Sequence, residues 1–169
     1  ARIKIEGPDY ITYSSTVTVN IKNQMLGYTK PDILFYSNNP ESVSEPQILF
    51  AGKTSPDKET RLLYHHQNVS GTKLRITVEV VNFSQTPSTY RLFPGDTGVN
   101  VDTVVVGYTA GRSFLRNYSR NVSILDTVPA QSRIILVSKV IQKGETASGI
   151  LELAQMQGDN NYVIVRASI

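Results

Sequence analysis

The chain contains no cysteine. Disulfides, thiolate metal sites and cysteine nucleophiles are excluded at once. Tryptophan is absent too, and tyrosine, with nine residues, leads the aromatics. No apolar run is long enough to cross a bilayer as a helix, so no membrane span is expected. Ala1 does not open a signal peptide, and the chain reads as a mature form or an excised domain. Neither sign of charge dominates. The 17 basic and 14 acidic side chains leave a net charge of +3. No stretch holds the run of about five or six like charges that marks a nucleic-acid arm or a polybasic anchor.

What is present is alternation. Ile3 and Ile5 alternate with Arg2, Lys4 and Glu6, and Val17, Val19 and Ile21 alternate with Thr16, Thr18, Asn20 and Lys22. In "KLRITVEVVNF" the residues Leu74, Ile76, Val78 and Val80 share one face, and Lys73, Arg75, Thr77 and Glu79 the other. This period of two is the signature of half-buried strands. Further strands are expected at 33–36, 47–50, 60–67, 88–93, 101–109, 120–125, 132–140, 147–155 and 162–168. Turn chemistry separates them. "NVSGT" at 68–72, "KGE" at 143–145 and "GDNN" at 158–161 read as hairpin closures, and "TP" at 86–87 and "PGDTG" at 94–98 as turns. Only "AGRSFLRNYS" at 110–119 suggests a helix.

The 169 residues suit one domain, long enough to bury roughly 70% of its unfolded surface without a metal or disulfide staple. The pattern predicts an all-β domain over 1–169 with an irregular, loop-rich insertion around 23–59. The architecture expected is a β-sandwich, immunoglobulin-like or elaborated, of about 10–12 short antiparallel strands, with a jelly roll as the runner-up.

Five segments bear on chemistry. The first is Tyr64-His65-His66-Gln67-Asn68, which holds both histidines of the chain. Adjacent strand residues point to opposite faces, so the two imidazoles do not chelate one ion from a regular strand. Tyr64 and His66 share a face with Leu62, which predicts a buried His66 and a surface His65. No third ligand stands nearby, and neither a metal site nor a cofactor is expected. A polar ligand contact through Tyr64, His65, His66 or Asn68 is the functional alternative. The second segment, "VVVGYTAGRSFLRNYSR" at 104–120, carries Gly107, Gly111 and the row Arg112, Arg116, Arg120. Its glycine spacing fits neither a Walker loop nor the dinucleotide fingerprint. The three arginines share a face whether the segment is helical or extended, which allows a weak polyanion contact.

The third segment is "LFPGDTGVNVD" at 92–102, where Asp96, Asn100 and Asp102 make an oxygen-rich loop. Its spacing departs from the EF-hand pattern, and a plain turn is the simpler expectation. Fourth, N-x-S sequons stand at Asn68, Asn82, Asn117 and Asn121, no marked excess over chance. Fifth, Glu79 and Glu152 are the mid-strand carboxylates to weigh for glycoside hydrolysis, and each is expected on a solvated face.

These features predict a non-catalytic module of a secreted or cell-envelope protein, acting in ligand binding or assembly with a protein or glycan partner. One alternative is a hydrolase or lyase using His65 or His66. The other is a polyanion or nucleic-acid binder using Arg112, Arg116 and Arg120. No sequence feature specifies an oligomeric state.

Overall fold

The computed structural model describes residues 1–22 and 30–169. In chain order the elements are β1 (Arg2–Ile5), β2 (Tyr13–Thr16), β3 (Ile33–Ser37), β4 (Ser42–Val43), β5 (Gln47–Lys53), β6 (Glu59–Asn68), β7 (Leu74–Asn82) and β8 (Ser88–Asp96). They continue with α1 (Thr103–Ser119), β9 (Ile124–Val128), β10 (Ser132–Ile141), β11 (Thr146–Gln157) and β12 (Asn161–Ser168). The fold is an all-β sandwich. A four-stranded sheet of order β10-β7-β12-β5 faces a larger one of order β3-β6-β11-β8-β9, with β4 also pairing to β6. One apolar core joins them, and Leu74, Ile76, Val78 and Val80 of β7 fill its centre. Burying each such side chain contributes about 1.5–3 kcal/mol.

The strand order defines the wrapping. From β5 to β12 the chain passes from one sheet to the other at every connection but one, β8 to β9, which is bridged by α1. Sheets ordered β5-β12-β7-β10 and β6-β11-β8-β9 are a double Greek key, the jelly-roll order, and not the hairpin-rich order of an immunoglobulin domain. The segments "NVSGT", "KGE" and "GDNN" therefore close no hairpins: each reverses the chain and carries it across the core. Turn residues encode the reversal, while the burial pattern selects the partner strand. The pairs are antiparallel except β3 and β4, which run parallel to β6.

Other expectations need correction. Residues 101–109 are not a strand, because α1 begins at Thr103. Asp102 caps it, with Oδ1 accepting from the amides of Val104 and Val105 at 3.0 and 3.1 Å. Val106, Ala110 and Phe114 recur at helical spacing and are buried, so packing overrides the β propensity of the three valines at 104–106. Gly95 of β8 makes room for the helix: a Cβ there would stand 2.7 Å from the Phe114 Cα and the Ile150 carbonyl oxygen. The strand β8 also runs on through Pro94 and Gly95, where a turn is expected from sequence. Pro94 is tolerated beyond the reach of β9, whose pairing stops at Leu92. The insertion around 23–59 is not wholly irregular, since it holds β3, β4 and β5; residues 23–29 lie outside the described part.

Residues 17–22 form no strand despite their alternation, and Val17, Val19 and Ile21 are exposed. The preceding β1 and β2 make a two-stranded sheet that pairs with no other described strand.

Candidate functional site

Strand β6 alternates strictly along its length, with even-numbered residues buried and odd-numbered ones half-buried. His66 is therefore inside, fully buried. Its Nδ1 donates to the Pro40 carbonyl at 2.9 Å, which leaves Nε2 as the acceptor for the Ser37 hydroxyl at 2.8 Å. Burial lowers its pKa to about 4, against a smaller upward pull from the Pro40 bond. A hydroxyl on a neutral imidazole has the form of a nucleophile–base pair. Ser37 is itself buried, however, so the pair clamps the 37–40 segment onto β6 and presents no nucleophile to solvent. Tyr64 faces the same interior. Its ring lies over Gly149, which has no room for a Cβ, and its hydroxyl donates to Asp96 at 2.9 Å. Burial, then the Asp96 charge, pushes the Tyr64 phenol far above its ordinary pKa. Lys139 completes this link between the sheets at 2.6 Å from the other Asp96 oxygen.

Asn68 is no ligand contact. It is fully buried at the end of β6, where its amide donates to the carbonyls of Thr72 and Ile141 at 2.8 and 3.0 Å. Its Oδ1 accepts from the Ser70 amide at 2.8 Å. Asn82 repeats the arrangement at the end of β7. It donates to Thr86 and Val128 at 2.7 and 3.2 Å and accepts from Ser84 at 2.8 Å. Two of the four sequons are thus halves of an N-x-S-x-T crossover turn, at 68–72 and 82–86. That repeated spacing is a sequence signal for the turn.

The first two segments meet at one groove. It runs along the outer face of the larger sheet, between α1 and β3. One end, of about 280 Å³, is lined by Tyr36, Asn38, His65, Gly107 and Ser148. The other, of about 300 Å³, is lined by Leu34, Arg61, Gly111, Phe114 and Leu115. Tyr36, Leu63 and Ile150 line both. His65 thus reaches a surface, 3.7 Å from Glu41. Gly107 and Gly111 are one helical turn apart, and a Cβ at either would meet nothing within 4 Å. Their missing side chains keep the groove open. Arg112, Arg116 and Arg120 lie exposed on the outward side of the helix and just past its end.

Beneath the helix lies an ion pair whose acidic member sequence reasoning misplaced. Glu152, expected on a solvated face, is 1% exposed. Arg61 grips its Oε2 through Nε at 2.8 Å and Nη2 at 2.5 Å. The guanidinium also lies 5.0 Å from the Phe114 ring centroid. Glu152 Oε1 has no hydrogen-bond partner among the described residues. Burial raises the Glu152 pKa, and Arg61 opposes the shift only in part. Glu79, also expected on a solvated face, is 3% exposed, held by Thr77 at 3.0 Å, Arg133 at 3.1 Å and Arg166 at 3.6 Å. The two carboxylates belong to opposite sheets and form no hydrolytic pair.

The oxygen-rich loop is spent on structure as well. Asp102 caps α1, Asn100 accepts from the Asp102 amide at 3.0 Å, and Asp96 serves Tyr64 and Lys139. Among the described residues no three His, Asp or Glu side chains are grouped to hold a metal ion. No helix is long and apolar enough to cross a membrane. No protein-family model, curated protein or solved structure matches this chain.

Proposed function

We propose that this protein is a non-catalytic structural subunit that assembles through its N-terminal residues into a larger protein shell or array. The observation that carries this reading is the surface of residues 1–22. All are exposed except Ser15, which is half-buried, yet the segment holds Ile3, Ile5, Tyr13, Val17, Val19 and Ile21 in strand alternation. On the β1–β2 hairpin Ile3 and Ile5 stand opposite Ser15 and Tyr13, giving one apolar face, while Arg2 and Lys4 lie on the other. An isolated two-stranded hairpin is marginal in water, and exposed apolar surface of this kind marks interaction sites. The sequence of the arm is therefore written for a surface that the described body of the chain does not supply to it.

The fold agrees with assembly. Double Greek-key jelly rolls build viral capsid shells, lectin domains and cupins, and the architecture alone does not choose among them. The uncovered arm favours the shell-building use. In sedimentation velocity the protein is expected to form concentration-dependent oligomers, and the triple substitution Ile3→Ser, Ile5→Ser, Tyr13→Ser to give monomers with an unchanged melting temperature. A wild-type chain that stays monomeric up to the highest soluble concentration would overturn this reading.

A second reading rests on one observation: Arg112 and Arg116 on α1 and Arg120 at its C-cap lie exposed in a row, with no acidic partner among the described residues. Such a row suits a polyanion. Heparin or polyphosphate should then bind in a salt-sensitive way and lose affinity when Arg112 and Arg116 become Glu.

A further inference from the structure

We propose that the groove between α1 and β3 is the seat of the β1–β2 hairpin of a second copy of this chain. This inference rests on the assembly reading and names its contact. Hairpin and groove complement each other in three ways. The hairpin offers an apolar face of Ile3, Ile5 and Tyr13, each about half exposed (51%, 49% and 59%). The groove offers an apolar floor, with Leu34 and Tyr36 from β3, Leu63 from β6 and Ile150 from β11. Secondly, α1 walls the groove with Gly107, Gly111, Phe114 and Leu115, and packing against a helix supplies the support that an isolated two-stranded hairpin lacks. Thirdly, the hairpin has one wet face: Arg2 and Lys4 turn to solvent when the apolar face is down, and the Arg2–Ser14 and Lys4–Glu6 contacts already lie on that polar side.

The occupant is a second copy because one molecule holds both parts and leaves them apart. Its hairpin pairs with no other described strand, and its groove stays open among the described residues. The 16 residues from Val17 to Asp32 join the hairpin to β3, and extended chain of that length spans up to about 50 Å. That is ample reach for a neighbouring subunit. The other apolar surfaces fit less well. Ile135, on the outer face of the smaller sheet, is exposed but lines neither end of the groove.

The absence of native cysteine makes the test clean. Two single-cysteine variants, Ile5→Cys and Leu34→Cys, are prepared separately, mixed, and oxidised. A disulfide between the two chains is the expected result, and Ile5→Cys mixed with Ile135→Cys should give none. Adding Gly111→Leu to the Leu34→Cys chain fills the groove from the helix side, where there is open space, so the fold and its melting temperature persist while cross-linking falls at least tenfold. Oligomers that sediment as such but fail to cross-link would overturn this seat and leave assembly standing. A double variant carrying both cysteines that cross-links only within one chain would overturn the second copy as occupant. Monomers without cross-links would remove the assembly reading together with this one.

Discussion

The hydroxyl of Ser37 donates to Nε2 of His66 at 2.8 Å, and neither side chain reaches solvent. The bond requires a neutral imidazole, because a protonated ring has no acceptor to offer. Acid therefore acts on this residue directly. The folded pKa of about 4 lies below the ordinary 6.5, so the unfolded chain takes up the proton first. The contribution to stability is complete above pH 6.5 and is lost as pH falls towards 4. Across that window the loss is about 3 kcal/mol. Urea unfolding at a series of pH values should show this slope in the wild type and its absence in His66→Asn. An equal slope in both would assign the acid sensitivity elsewhere.

Arg61 and Glu152 should respond to substitution as a unit. Glu152 is buried under α1 and has one satisfied oxygen. Replacing Arg61 alone with Met strands a buried carboxylate, at a loss of about 3 kcal/mol. Replacing both, as Arg61→Met with Glu152→Leu, removes the stranded charge and should restore most of that loss. A double-mutant cycle by chemical denaturation reads the coupling directly. Additive losses would show that the guanidinium contributes through Phe114 packing rather than through the carboxylate.

Two glycines should answer in opposite directions. Gly95→Ala puts a methyl group against the backbone of Phe114 and Ile150. Helix α1 must lift or β8 must bend, and overpacking of this sort destabilises by about 1–3 kcal/mol. Gly111→Ala meets open space inside a helix and should stabilise by about 0.5–1 kcal/mol. Thermal melts of the two variants provide the comparison. If Gly95→Ala melts like the wild type, the helix does not rest on β8 as described.

Much of this molecule was legible as periodicity. The alternation of Leu74, Ile76, Val78 and Val80 located the central strand and its inner face, and the alternation through Tyr64 and His66 separated a buried imidazole from an outer one. Helix α1 was legible only in its second half. Three consecutive valines favour a strand locally, and the helical spacing of Val106, Ala110 and Phe114 becomes decisive only once Gly95 is known to lie beneath them. The groove was less legible still, since it joins His65 with Gly107 and Gly111 through tertiary packing. Glu152 looked solvated because alternation reports which face of the sheet a residue takes. It does not report that a helix covers that face.

The most local misreading concerned Asn68, whose arrangement Asn82 repeats, and it gives the last prediction. Each sits at a strand end where the chain crosses the core, and each donates its amide hydrogens to carbonyls of two separate segments. Asn68→Asp keeps the size and the Oδ1 acceptor but turns the donor into a second acceptor facing the Thr72 and Ile141 oxygens. At neutral pH that places buried negative charge against carbonyl dipoles, and a loss of about 3 kcal/mol or more is expected from the broken bonds and the unpaired charge. Asn68→Ser, which loses the bonds without adding charge, should lose less. Asn82 should rank its two variants in the same order, because the N-x-S-x-T turn is the same. Equilibrium denaturation of the four variants tests the ranking. If Asp and Ser proved equal at both positions, the amide donors would not be what holds the crossovers.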